Sequence, residues 1–180
     1  MKKLNSWNKI KMNSKKTINV FTENVYSDWN LDEVEVINKT RLIFDYYLKN
    51  ILESSCLEGF EFETITFDIL FCDSEKTHQI NKEYRAKDYP ADIITFAIFA
   101  DDDSKFILDD DINLGEILLA LDKVREEAKK HDVTDDYELY FLIAHGILHL
   151  LGFDHQTEED YNFVVDLQKK ALEYAFSERE

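Results

Sequence analysis

The sequence is short of proline, glycine and cysteine. Its 180 residues include one proline and four glycines, too few for a flexible interdomain linker, so one domain is expected. The two cysteines, Cys56 and Cys72, are not spaced as a C-x2-C pair. They form no disulfide framework and read as small apolar residues in a reduced compartment. No apolar run approaches the roughly 18 residues that a spanning helix needs, and the start lacks the compact apolar stretch of a secretory signal. A soluble, cytoplasmic protein without membrane attachment is expected. Basic charge is scarce as well. With 38 acidic against 21 basic residues the net charge is −17, which argues against a general nucleic-acid binder, because phosphate contacts dominate that affinity.

What is present fits a globular chain with a useful core: 44% apolar and 13% aromatic residues. The charge is uneven. Residues 1–16 carry six lysines and no acid, and six aspartates fall between Asp101 and Asp111; these read as a solvated tail and a solvated loop. Residues 1–16 are therefore expected to be a basic, disordered extension, and residues 17–180 a single domain.

Patterning supplies the elements. Residues 17–22 alternate as a first strand, and residues 31–52 follow an imperfect helical period. Residues 64–72 form the clearest strand, with Ile65, Phe67, Ile69 and Phe71 on one side. Asp73 or Ser74 can cap a helix to about Tyr84, followed by a charged loop, 85–90. Residues 92–99 read as a buried third strand, 114–121 as a fourth, and 122–131 as a helix. Asp135, with Glu138 three residues on, reads as a capping box. It opens a helix to residue 151 that is apolar on nearly every side and so should be buried. Thr157-x-x-Asp160 opens a last helix to about Phe176, with Tyr161, Val164, Val165, Leu172 and Ala175 as its core face. The expected fold is α/β: a small mixed four-stranded sheet surrounded by helices, with the 136–151 helix buried at the centre.

That central helix carries the chemistry. The chain has five histidines, and His145, His149 and His155 fall within eleven consecutive residues. Positions four apart share a helix face, with Cβ atoms about 5–6 Å apart, so His145 and His149 can grip one ion. Gly152 suits the helix stop that swings His155 back to them. Three imidazoles with a free fourth position form the donor set of a catalytic zinc site rather than a closed structural one. Nickel, copper or iron would accept the same ligands. Asp154 reads either as an orienting partner or base, or as a surface turn residue. His78 and His131 read as surface histidines. Gly146 stands where the H-E-x-x-H proteases carry their general-base glutamate, which disfavours peptide hydrolysis, and it leaves room beside the metal for a bulky substrate.

The run H-G-I-L-H-L-L-G-F-D-H at 145–155 resembles the signature of the YbeY family of bacterial endoribonucleases. Residues 80–96 (INKEYRAKDYPADIITF) are similar to that family's L-N-x-x-Y-R-x-K-D-x-P-T-D-V-L-S-F segment, and Leu114-Gly115-Glu116-Ile117 to its L-G-D-I strand. Ala86, Ala91, Thr95, Glu116 and Ala120 depart from the usual glycine, threonine, serine, aspartate and serine. The resemblance implies a single-strand-specific, zinc-dependent endoribonuclease of small-subunit (16S) ribosomal RNA maturation, notably at the 3′ end, and of ribosome quality control. It implies His145, His149 and His155 as metal ligands and Arg85 as the catalytic arginine near the metal, where a guanidinium can clamp a phosphate, aided by Lys82 and Lys87. Ribosomal RNA in the small subunit, ribosomal proteins or a GTPase assembly factor are the implied partners. Two other readings stand beside it: a metallohydrolase of another substrate such as a peptide, and a non-catalytic ribosome-associated module whose metal is structural.

Overall fold

The structure, a computed structural model, describes residues 16–103, 105, 107, 108 and 110–177. Residues 1–15 of the lysine-rich start, whose disorder was expected from composition, lie outside the described residues. Four strands form one sheet: β1 (Thr17–Asn24), β2 (Thr64–Cys72), β3 (Ile93–Phe96) and β4 (Asp111–Ala120). Their order is β1-β2-β4-β3, with β1, β2 and β4 parallel and the edge strand β3 antiparallel to β4. The helices are α1 (Glu33–Ile51), α2 (Ser74–Arg85), the single turn α3 (Ile98–Asp101), α4 (Leu121–His131), α5 (Asp135–Leu150) and α6 (Glu158–Ser177). This is the mixed α/β domain expected. No helix among the described residues is long and apolar enough to cross a membrane.

The alternation along β2 sets the layers. Ile65, Phe67, Ile69 and Phe71 are at most 1% exposed, and Phe44 of α1 stacks on Phe67 with ring centroids 5.5 Å apart. Ile69 pairs in register with Ile117 of β4, and α5 lies on that same face. The contact is unusually close: a Cβ on Gly146 would stand 2.8 Å from Ile117 Cδ1 and 3.0 Å from its Cγ2. Gly146 therefore does not open space for a substrate, as its place in the motif suggested. It lets the helix backbone seat on the sheet. On the opposite face, Phe21, Asp68 and Glu116 stand side by side across β1, β2 and β4, with Phe21 exposed.

Several boundaries move for physical reasons. The apolar run 92–99 is not one strand: β3 stops at Phe96, which pairs with Glu116, and the chain turns into α3. A continuous apolar run carries no period to separate strand from buried helix. β4 starts at Asp111 and β1 runs on to Asn24. α5 is capped one residue earlier than expected: Thr134, in extended conformation, accepts the Tyr137 N–H at 3.1 Å. Glu138 instead turns to His131 Nδ1 at 3.1 Å, so His131 is the partner of a buried glutamate rather than a plain surface residue. Tyr161, expected in the core, is 52% exposed. The Thr157–Asp160 box is present, each residue accepting the other's backbone N–H at 3.1 Å. Lys16, counted with the tail, is tied to the body: its Nζ donates to the Phe62 carbonyl at 3.0 Å.

The seat of α5 gives a stability prediction. Gly146→Ala is expected to destabilise by about 1–3 kcal/mol, the usual cost of overpacking. Adding Ile117→Val, which removes the nearest methyl, should recover part of that loss. Denaturant unfolding of the two single variants and the double variant measures the coupling. Strict additivity would show that the close seat does not matter.

Candidate metal centre

The helix stop places the third histidine. α5 ends at Leu150 and is capped by Leu151, and Gly152 follows at φ +86°. The Gly152 N–H donates to the His149 carbonyl and the Phe153 N–H to the Leu148 carbonyl, both at 2.9 Å. This paired closure of the last turn needs a left-handed residue, which glycine supplies without strain. Beyond it, Asp154 Oδ1 accepts the His155 N–H at 2.8 Å and Oδ2 faces Gln156 Nε2 at 3.4 Å. The backbone bond from His155, then the one from Gln156, holds the Asp154 carboxyl below its ordinary range. Asp154 is thus an anchor for the ligand-bearing turn, and a weak base.

The three imidazoles converge, with one ligand atom from each lying within 4.8 Å of the others. His145 and His149 face each other through Nε2 atoms 2.9 Å apart. Two ligands of a tetrahedral ion at about 2.0–2.1 Å would stand roughly 3.3–3.4 Å apart, so the rings need spread by only a few tenths of an ångström. The donor set, three nitrogens and no thiolate, suits zinc and equally copper, nickel or iron.

One residue that patterning did not single out orients this site. Gln168 of α6 is 1% exposed. Its Nε2 donates to the Phe141 carbonyl at 3.0 Å, which turns Oε1 towards His145 Nδ1 at 3.3 Å. His145 therefore carries its proton on Nδ1, and its Nε2 lone pair is free for an ion, the orienting bond that metal-ligating histidines usually make. The signal was there to read: a glutamine in the apolar stripe between Val164 and Leu172.

Burial readies the ligands further. Desolvation first, then the neighbouring His145 and His155, pushes His149 down to about 4. Burial also lowers His145, outweighing the raising effect of Gln168. Both rings are thus neutral near pH 7, the form that binds metal.

Arg85 is the last residue of α2 and lines a cleft of about 400 Å³ together with His145, His149, Phe153 and Asp154. Buried polar side chains of α2 set the loop beyond it: Asn81 Nδ2 donates to the Tyr89 carbonyl at 3.0 Å and Thr77 Oγ1 to the Ala91 carbonyl at 2.7 Å. Ala86, where the resembled family usually has glycine, takes a left-handed turn at φ +54°. Arg85 is exposed and makes no hydrogen bond or ion pair among the described residues. Lys82 and Lys87 do not line the cleft. Lys82 pairs with Asp88 at 3.1 Å, which His78 also contacts at 2.8 Å, while Lys87 lies 6.0 Å from the Tyr89 ring centre. Asp101, at the start of the aspartate-rich run, does reach the cleft.

Two predictions follow from this geometry. Gln168→Leu should weaken metal binding about 10- to 100-fold, while Gln168→Glu, which keeps the acceptor but loses the donor to the Phe141 carbonyl, should weaken it less; titration against a chromogenic chelator reads both. The second concerns acid. A histidine whose folded pKa lies below its unfolded value binds fewer protons when folded, so stability is lost as pH falls. For His149 the loss begins near 6.5 and is complete near 4. Metal-free protein should lose thermal stability across that window, and His149→Gln should flatten the loss. An unchanged pH slope in His149→Gln would contradict the assignment.

Comparison with known proteins gives the family. The family model described as Endoribonuclease YbeY matches residues 9–175. The Endoribonuclease YbeY of a Geobacillus strain is 36% identical over 150 residues, covering 79% of this chain and 92% of that protein. That of Fusobacterium nucleatum is 34% identical over 126 residues, covering 70% and 75%. The solution structure of TM1509 from Thermotoga maritima superposes with a TM-score of 0.57 at 22% identity, covering 90% of this chain and 91% of that one; it supports the fold. By sequence, and with the three-histidine cluster at the centre of that fold, the chain belongs to the YbeY endoribonuclease family.

Proposed function

We propose that this protein is a zinc-dependent, single-strand-specific endoribonuclease that matures small-subunit ribosomal RNA at its 3′ end and serves ribosome quality control in the cytoplasm. Its partners are then the small ribosomal subunit, its proteins and an assembly GTPase. One observation carries the reading beyond family membership: an unpaired Arg85 lines the same cleft as His145 and His149, two of the three clustered histidines. In a chain of net charge −17, a guanidinium left without a carboxylate is available for an incoming anion.

The residues divide the work. Arg85 holds a non-bridging phosphate oxygen and stabilises the charge that develops on it. His145, His149 and His155 hold the ion, which supplies Lewis-acid chemistry when bound. Gln168 keeps the His145 lone pair directed at it, and Asp154 fixes the turn that carries His155. The peptide-hydrolase reading loses ground, because Gly146 supplies no general-base carboxylate, and a side chain there would press on that of Ile117.

The test is cleavage of a ribosomal-RNA 3′-end substrate by singly substituted protein, with and without chelator. Arg85→Ala should lose about 100- to 1000-fold in rate, as for loss of one charge-stabilising donor, with metal affinity intact. Arg85→Lys should not restore it, because the bidentate fork is gone. His149→Ala should lose metal and activity together. Full activity in Arg85→Ala would refute the clamp. A wild type that binds metal and ribosomes yet cuts no RNA would favour the structural-metal reading.

A further inference from the structure

The first turns of α6 carry aromatic side chains that the core does not use. Tyr161 is 52% exposed and Phe163 50%, although helix packing favours burying such rings. Each adjoins one residue of the site. Phe153 lines the cleft, and its ring centre is 6.3 Å from that of Phe163. Tyr161 meets the ligand His155 edge to face, with centroids 5.8 Å apart and planes at 82°. Phe163 thus adjoins the site through Phe153 and Tyr161 through His155, on different faces of the helix.

Charge decides what these rings can receive. Glu158, Glu159 and Asp160 form the first turn of α6, and Asp154 stands beside the cleft. A phosphate backbone is repelled there, whereas the unpaired cation, Arg85, comes from α2. A ligand that is anionic along one edge and presents flat rings along the other fits both sides at once.

Resting on the endoribonuclease reading above, we propose that Phe153 with Phe163 on one side, and Tyr161 on the other, form a stacking wall in two parts for unpaired nucleobases next to the phosphate held by Arg85. The backbone runs on the Arg85 side and the bases turn towards α6. Stacking on aromatic rings tolerates any base and weakens little with salt, unlike phosphate contacts. A base inside a duplex is already stacked and cannot be offered to the wall.

The experiment uses full-length protein and a fluorescently labelled single-stranded oligoribonucleotide. In steady-state cleavage with metal bound, Tyr161→Ala and Phe163→Ala should each raise KM about tenfold or more, with kcat within a few-fold of wild type. Tyr161→Phe and Phe163→Tyr should keep the wild-type KM. In metal-free protein, fluorescence anisotropy should show the base-bearing oligomer binding about tenfold tighter than one of equal length made of abasic spacers, and Phe163→Ala should erase that difference. Equal binding of the two oligomers by wild type would overturn the proposal whether or not RNA is cleaved. Unchanged KM in both alanine variants would overturn it while leaving the nuclease reading intact. Lost metal affinity with unchanged KM in Tyr161→Ala would reduce Tyr161 to a prop for His155. A wild-type dimer that Phe163→Ala dissociates, seen by light scattering, would assign the wall to a second copy of the chain and overturn the proposal.

Discussion

The absence of a side chain at Gly146 governs the molecule. With only hydrogen there, α5 seats directly on Ile117 of β4, and the half-buried His145 and His149 ride on the same helix. Burial then does two things. It lowers the proton affinity of His145 and His149, keeping lone pairs available, and it obliges every polar atom of those rings to find a partner. Gln168 meets part of that demand at His145 Nδ1; the facing Nε2 atoms leave the rest to an ion or a proton.

The exposed end of the helix has the opposite character. After the closed turn at Gly152 the chain is at the surface, where Asp154 rather than packing fixes His155. One ligand therefore rides on a turn held by hydrogen bonds, while two ride on a buried helix. Such a site can adjust its third ligand by small backbone movement without disturbing the core. The 2.9 Å approach of His145 to His149 marks the rigid side of the cluster.

Much of this was legible beforehand, and the rest was hidden for identifiable reasons. The His-x3-His spacing, the glycine stop and the strand alternation at 64–72 are local signals, and each matches the structure. What failed depended on partners far away in sequence. The run 92–99 could not reveal that its last residues leave the sheet. Asp135 was read as the cap of α5, but Thr134, one residue earlier, has the extended backbone and accepts the Tyr137 N–H. Tyr161 satisfied the helical period of α6 yet faces outward, because the stripe that packs is Val164, Leu167, Gln168 and Ala171. Gln168 acquires meaning only once α6 lies against α5. The freedom of Arg85 is likewise a tertiary fact: Lys82, three residues earlier, is engaged by Asp88.

The acidity of the chain bears on how such a protein can act on RNA at all. Affinity for nucleic acid ordinarily grows with the number of phosphates neutralised, and a chain with 38 acidic against 21 basic residues offers few such contacts. General attraction is therefore weak, and long-range steering is unfavourable. Binding must then be concentrated where cation and ion site coincide, at Arg85 and the three histidines, and supplemented by contacts that charge does not govern. A protein built this way discriminates against RNA it merely encounters. On the function proposed above, it relies on substrate presented with an accessible strand rather than on general attraction.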